Sequence, residues 1–290
     1  MQTIRSILFG LFGGVGKTVS TFALYVSIFI VSTLSLIPLE KGFHSAFDRV
    51  PAARDFLHGG GLDLLLTNHA LGRAFWASSL GLFIPLLILF ILFGLWLEAG
   101  IYGLAADEER GFGAFARAAK EYSWGFLRLF LLNLVLWGIL GGLIGAGIVM
   151  GGKAVFTDRP SILGPIVWTQ ALLLLVTLNL IRNSIGFAQA RWVVKQKRES
   201  TWRCFIGAFV FTLKRFIPVN LMTWFFNVVR GVGVLLIIVR FAPGYEASGS
   251  WLLTALLVQV AFLYASYLRA SEARAQVTYT KAFVSADRFG

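Results

Sequence analysis

One arginine stands within an apolar run of this chain, and three histidines share a single connecting segment; these residues have the types and spacing that chemistry needs. Arg230 sits about ten residues, or about 15 Å along a helix, from the far end of the apolar stretch 216–239. A charge at such a depth in hydrocarbon costs at least about 2.5–3.5 kcal/mol on insertion scales, so it needs a partner or water. Gln170 and Gln259 fall at comparable depth in neighbouring apolar stretches, and Asn227 is one helical turn from Arg230. The four are expected to converge as a polar cluster. No carboxylate falls at that level, so the expected partners of Arg230 are amide or backbone oxygens, a lipid phosphate, or an acid from a partner subunit.

Three imidazoles, His44, His58 and His69, share one segment with Asp48, Asp55 and Asp63. Such a set has the donor types of a zinc or copper site. Its spacings of 14 and 11 residues match no compact ligand pattern, so no metal site is assigned. Gly13-Gly14-Val15-Gly16-Lys17-Thr18 resembles the end of a phosphate-binding loop, but Leu11 stands where its first glycine is required. His58-Gly59-Gly60-Gly61 lacks the G-x-S-x-G serine that an esterase oxyanion loop would serve. Lys153 and Arg159-Pro160 open like a lipid phosphatase motif, yet no histidine follows His69. No catalytic constellation is assembled, and no cofactor is implied.

Two further features are structural. Glu98 ends the stretch 75–98 on the side where Arg128 begins the next, which predicts an ion pair between them. Gly138, Gly141, Gly142 and Gly145 repeat the G-x-x-x-G spacing, a small face on which a neighbouring helix can approach closely. Cys204 stands alone and forms no internal disulfide; a buried, inert thiol is expected there.

The elements that must position these residues are helices in a bilayer. At 290 residues, 57% hydrophobic and 14% charged, the chain lies outside the composition of water-soluble domains. Six stretches, 19–39, 75–98, 124–150, 164–181, 216–239 and 251–267, approach or exceed the roughly 20 apolar residues that a span requires. The expected fold is all-α: one polytopic membrane domain over residues 1–290 with six transmembrane helices. In-plane amphipathic helices are expected before the third and fifth spans, where aromatic and basic residues alternate.

Charge placement sets the orientation. Eighteen Lys and Arg lie on the side of the two termini and seven on the other, with Arg230 inside a span. Positive residues stay on the cytoplasmic side, so both termini are expected there. The net charge of +12 then serves orientation and attraction to anionic headgroups, and nucleic acid is not a partner.

An offset of 87 residues superposes Arg128, Asn133 and Trp137 on Arg215, Asn220 and Trp224. This suggests a duplicated unit over 75–150 and 162–239, with both copies oriented alike. The two aromatic-basic segments, 111–128 and 199–215, each leading into a Gly- or Asn-containing span, carry a loose resemblance to bacterial multi-pass proteins. The layout is similar to the membrane domain fused to some glycerophosphodiesterases. That resemblance implies a six-span protein of a bacterial inner membrane and confers no activity. The function expected is a non-catalytic membrane protein, either an accessory or scaffold subunit or a lipid organiser. The alternative is a transporter of small molecules or lipids.

Overall fold

A computed structural model describes residues 2–12, 17–47, 69–158, 163–195, 199–248 and 251–286. Among the described residues there are eight helices and no strand: α1 (Gln2–Phe12), α2 (Lys17–Phe47), α3 (His69–Asp107), α4 (Phe112–Asp158), α5 (Leu163–Val194), α6 (Thr201–Lys214), α7 (Phe216–Ser248) and α8 (Trp251–Ala286). The all-α expectation holds. Four helical segments are long and apolar enough to cross a membrane: Lys17–Gly42, Phe75–Asp107, Phe112–Gly142 and Phe216–Ile237. The stretches 164–181 and 251–267 are helical within α5 and α8.

These are helices because the chain offers hydrocarbon nothing else: each backbone N–H must find its carbonyl within the same segment. On α3 the exposed residues Leu80, Phe83, Ile84, Leu87, Ile88 and Leu89 occupy every side of the helix. A helix apolar all round belongs in lipid or in a large core.

Of the two expected in-plane helices, only the second is a separate element. Residues 112–158 form one uninterrupted helix, so the segment before the third span is simply the first part of α4. The sequence explains the difference. Pro218, which has no N–H to donate, falls in the first turn of α7, and the chain breaks at Arg215, the C-cap of α6. The residue 87 positions earlier is Leu131, which continues a helix.

The chain divides into two compact units, residues 23–95 and the remainder. In the smaller unit, Gly42 of α2 lies against Phe75 and Ser79 of α3, where no side chain would fit. In the larger unit α3 and α4 form a hairpin whose turn puts Glu108 at φ 57° and Gly111 at φ 97°, the latter a backbone that glycine alone adopts freely. A second hairpin joins α5 to α6 and α7. Glu199 bonds Arg191 and Lys195, Phe211 meets Phe187, and Asn220 bonds Asn183 and Asn179, so the elements run antiparallel. α8 runs parallel to α5 and antiparallel to α7, with Tyr264 Oη donating to Val229 O at 2.7 Å.

α1 lies along α8. A Cβ on Gly10 would fall 2.6 Å from the Ser271 carbonyl, so this contact requires glycine. The carbonyls at the end of α1 are capped by Lys17, which donates to Gly10 O at 3.1 Å and lies 3.7 Å over the Tyr267 ring, and by Tyr267 Oη, 2.7 Å from Leu11 O.

Burial in this unit is confined to one end. Leu97 to Ala105 of α3, Ala114 to Leu129 of α4, Ile181 to Val193 of α5 and Val219 to Phe226 of α7 supply the packed side chains. Beyond them, Leu134, Val135 and Ile139 of α4, Leu172 and Leu175 of α5, and Leu235 and Leu236 of α7 are exposed. Self-packing thus gives way to a surface that needs lipid or another chain.

The α5–α6 turn is held by charge. Hydrogen bonds from Arg191, with help from Lys195, hold the Glu199 carboxyl down to about 2 although burial opposes them. A carboxylate depressed when folded contributes stability that is complete above its ordinary range near 4.5 and is lost as pH falls towards 2. The thermal midpoint should therefore drop less between pH 4.5 and 2 in Glu199→Gln than in the unaltered protein, as followed by circular dichroism in detergent.

Candidate functional site

The residues with most chemical character meet where the packed end begins. Glu272 of α8, with a side chain 0% exposed, accepts from three guanidinium groups. Arg230 Nη2 of α7 lies 2.9 Å from Oε2, Arg182 Nη2 of α5 lies 3.3 Å from both oxygens, and Arg269 Nη1, one turn back on α8, lies 3.3 Å away. Arg269 also donates to Glu98 of α3, whose other oxygen takes Gln189 Nε2 at 2.7 Å. Four helices are tied through two carboxylates.

A buried carboxylate is costly unless its lone pairs are met, and three arginines meet those of Glu272. The ion pairs do not balance. Three guanidiniums face two carboxylates, which leaves one positive charge over. Arg230 Nε is buried and donates to nothing among the described residues. Arg182, at 41% side-chain exposure, is the outermost member.

A second polar layer adjoins the first on α5 and α7. Asn220 Oδ1 accepts from Asn179 and Asn183, Thr223 Oγ1 donates to Asn183 Oδ1 at 2.6 Å, and Asn227 Oδ1 accepts from Arg182 Nη1 at 2.9 Å. On the α3 side, Tyr102 donates to Gln276. Between α5 and α7, outside these amides, lies an open groove of about 400 Å³ with Arg182 and Asn179 at its polar end and Leu175 and Val228 among its apolar walls.

Several expectations change. Arg230 does have a carboxylate of its own chain: Glu272 lies past the apolar stretch 251–267, but α8 continues unbroken to Ala286. The antiparallel register of α7 and α8, with the long arginine side chain, brings the two together. Of the residues expected around Arg230, Asn227 joins the network through Arg182. Gln259 lies on α8 five residues before Tyr264, which the register sets beside Val229 and Gly233 of α7. The side chain of Gln170 lies outside the described residues. Glu98 bonds Arg269 and Gln189 instead of Arg128, whose guanidinium lies over the Trp124 ring at 5.2 Å. At Gly138, Gly141, Gly142 and Gly145, an added Cβ would meet nothing within 4 Å among the described residues.

Residues matched by the 87-residue offset have different surroundings. The Asn220 side chain makes three hydrogen bonds, while Asn133 is buried with Oδ1 unpartnered among the described residues. Arg215 lies over Phe283 at 4.3 Å and Arg128 over Trp124.

Among the described residues no three His, Cys, Asp or Glu gather as a metal site. His58 falls outside the described residues, as do the side chains of His44 and His69. Cys204 is buried against Ala188 O at 3.3 Å, and burial pushes its thiol up to about 12, which leaves it unreactive at neutral pH.

Arg182, Arg269 and Glu272 lie outside the apolar stretches 164–181 and 251–267, so sequence reasoning did not single them out. One signal was present: residues 266–276 interleave alanine and serine with charge, and the structure buries most of them. No protein-family model, curated protein or solved structure matches the chain. Removing one member of a buried ion pair costs about 3–5 kcal/mol. Glu272→Gln should destabilise the protein by that order in reversible unfolding from mixed micelles. Adding Arg230→Gln should recover part of the loss, whereas purely additive losses would argue against the tie.

Proposed function

We propose that this chain is a non-catalytic integral membrane protein that organises lipid around a rigid polar knot. The supporting observation is how its chemistry is spent: both carboxylates of the knot, Glu98 and Glu272, are engaged by arginines and glutamine that hold helices together. The surface beyond the knot is apolar on α4, α5 and α7 and calls for lipid. The reading includes six spans with both termini in the cytoplasm of a bacterial cell, in keeping with the excess of basic residues on that side. The glycine face of α4 gives the same protein a surface for a partner subunit.

A second reading, a transporter of small molecules or lipids, is favoured by the groove between α5 and α7 and by the two antiparallel hairpins that precede α8. Lipid removal separates the two. Stripping bound lipid with nonionic detergent should lower the thermal midpoint by several degrees, and lipid add-back should restore it, with no substrate accumulated by sealed vesicles. Concentrative uptake lost in Arg182→Ala would establish the transporter instead.

A further inference from the structure

We propose that the groove between α5 and α7 is a binding site for one phosphate-bearing lipid, with Arg182 as its headgroup ligand; this rests on the lipid-organising reading. Three observations converge on it. The first is charge. The network holds one guanidinium more than its carboxylates neutralise, and Arg182 is its most exposed arginine. A positive charge at the edge of hydrocarbon without a counter-charge attracts an anion.

The second is the inventory of donors. A guanidinium has five N–H groups in a planar fork. Arg182 uses Nη1 on Asn227 and Nη2 on Glu272, and the bonds to Glu272 are long, at 3.3 Å to each oxygen. Donors therefore remain for phosphate oxygens, the geometry arginine meets best. Asn179 lies at the same end of the groove, and its amide is held by Asn220.

The third is shape, and it selects a lipid over a free anion. The groove holds about 400 Å³, within the usual size of a ligand cleft, and most of its wall is apolar: Leu175 and Leu178 on α5, Trp224 and Val228 on α7. Leu175 lies seven residues, about 10 Å, up the helix from Arg182. Further up the two helices, Leu172 and Val232 are exposed. Inorganic phosphate needs no such wall. An acyl chain beginning at a phosphate on Arg182 would lie along it, in the leaflet on the side of α6, with Trp224 beside the headgroup.

The test uses full-length protein delipidated in nonionic detergent, with bound lipid read by native mass spectrometry. The probes are phosphatidylglycerol, diacylglycerol and inorganic phosphate. Phosphatidylglycerol should bind at one site at least tenfold more tightly than diacylglycerol, and phosphate at millimolar concentration should not displace it. Arg182→Gln should lose that preference. Because Arg182 also supports Glu272, Leu175→Trp serves as the second variant: it fills the groove from an exposed position, and should lose the lipid while keeping the thermal midpoint. Equal binding of phosphatidylglycerol and diacylglycerol, or binding unchanged in both variants, would overturn the site and leave the lipid-organising reading standing. Displacement by phosphate alone would show a free-anion site and overturn the assignment to lipid. Failure of every lipid to bind or to stabilise would remove both.

Discussion

A carboxylate cannot be left unpaired in a low-dielectric interior, and the architecture of the larger unit follows from how Glu272 avoids that state. Its side chain is fully buried, and its oxygens take bonds from helices α5, α7 and α8. Arg269 carries the tie to α3 through Glu98. Hydrophobic association is weak between helices already surrounded by hydrocarbon, so a polar knot of fixed geometry determines which helices meet and in what register. Arginine suits this role because its planar fork reaches two acceptors at once, and Arg269 does so here.

The knot also divides the molecule into regions of different character. On one side helices pack on one another through alanines, serines and aromatic rings such as Phe126, Phe187 and Tyr279. On the other, leucines and valines of α4, α5 and α7 are exposed. The groove opens at the junction, where the packing ends and a guanidinium stands partly uncovered. A site for an amphiphile at that place requires no separate domain: a groove between two helices, polar at one end and apolar along its walls, suffices.

Much of this fold was legible in the sequence because hydropathy reports solvent. The apolar runs that became α2, α3, α4 and α7 are visible without knowledge of tertiary structure. The break between α6 and α7 has a local cause in Pro218, and the continuity of α4 has one in Leu131. The partner of Arg230 was not legible. Glu272 is 42 residues away and lies past the apolar part of its helix, so assigning the pair needs the register of two antiparallel helices. Glu98 shows the same limit: Arg128 is an opposite charge at similar depth, yet α8 brings Arg269 to Glu98 instead. Pairing at a given depth depends on which faces meet, and a one-dimensional depth estimate does not carry that information.

A density map of the protein in lipid nanodiscs tests the central claim most directly. The account predicts that the Glu272 carboxylate lies within hydrogen-bonding distance of Arg182, Arg230 and Arg269, with Arg269 reaching on to Glu98. A map with Arg230 turned towards lipid or towards another chain, and Glu272 hydrated apart from it, would contradict the account.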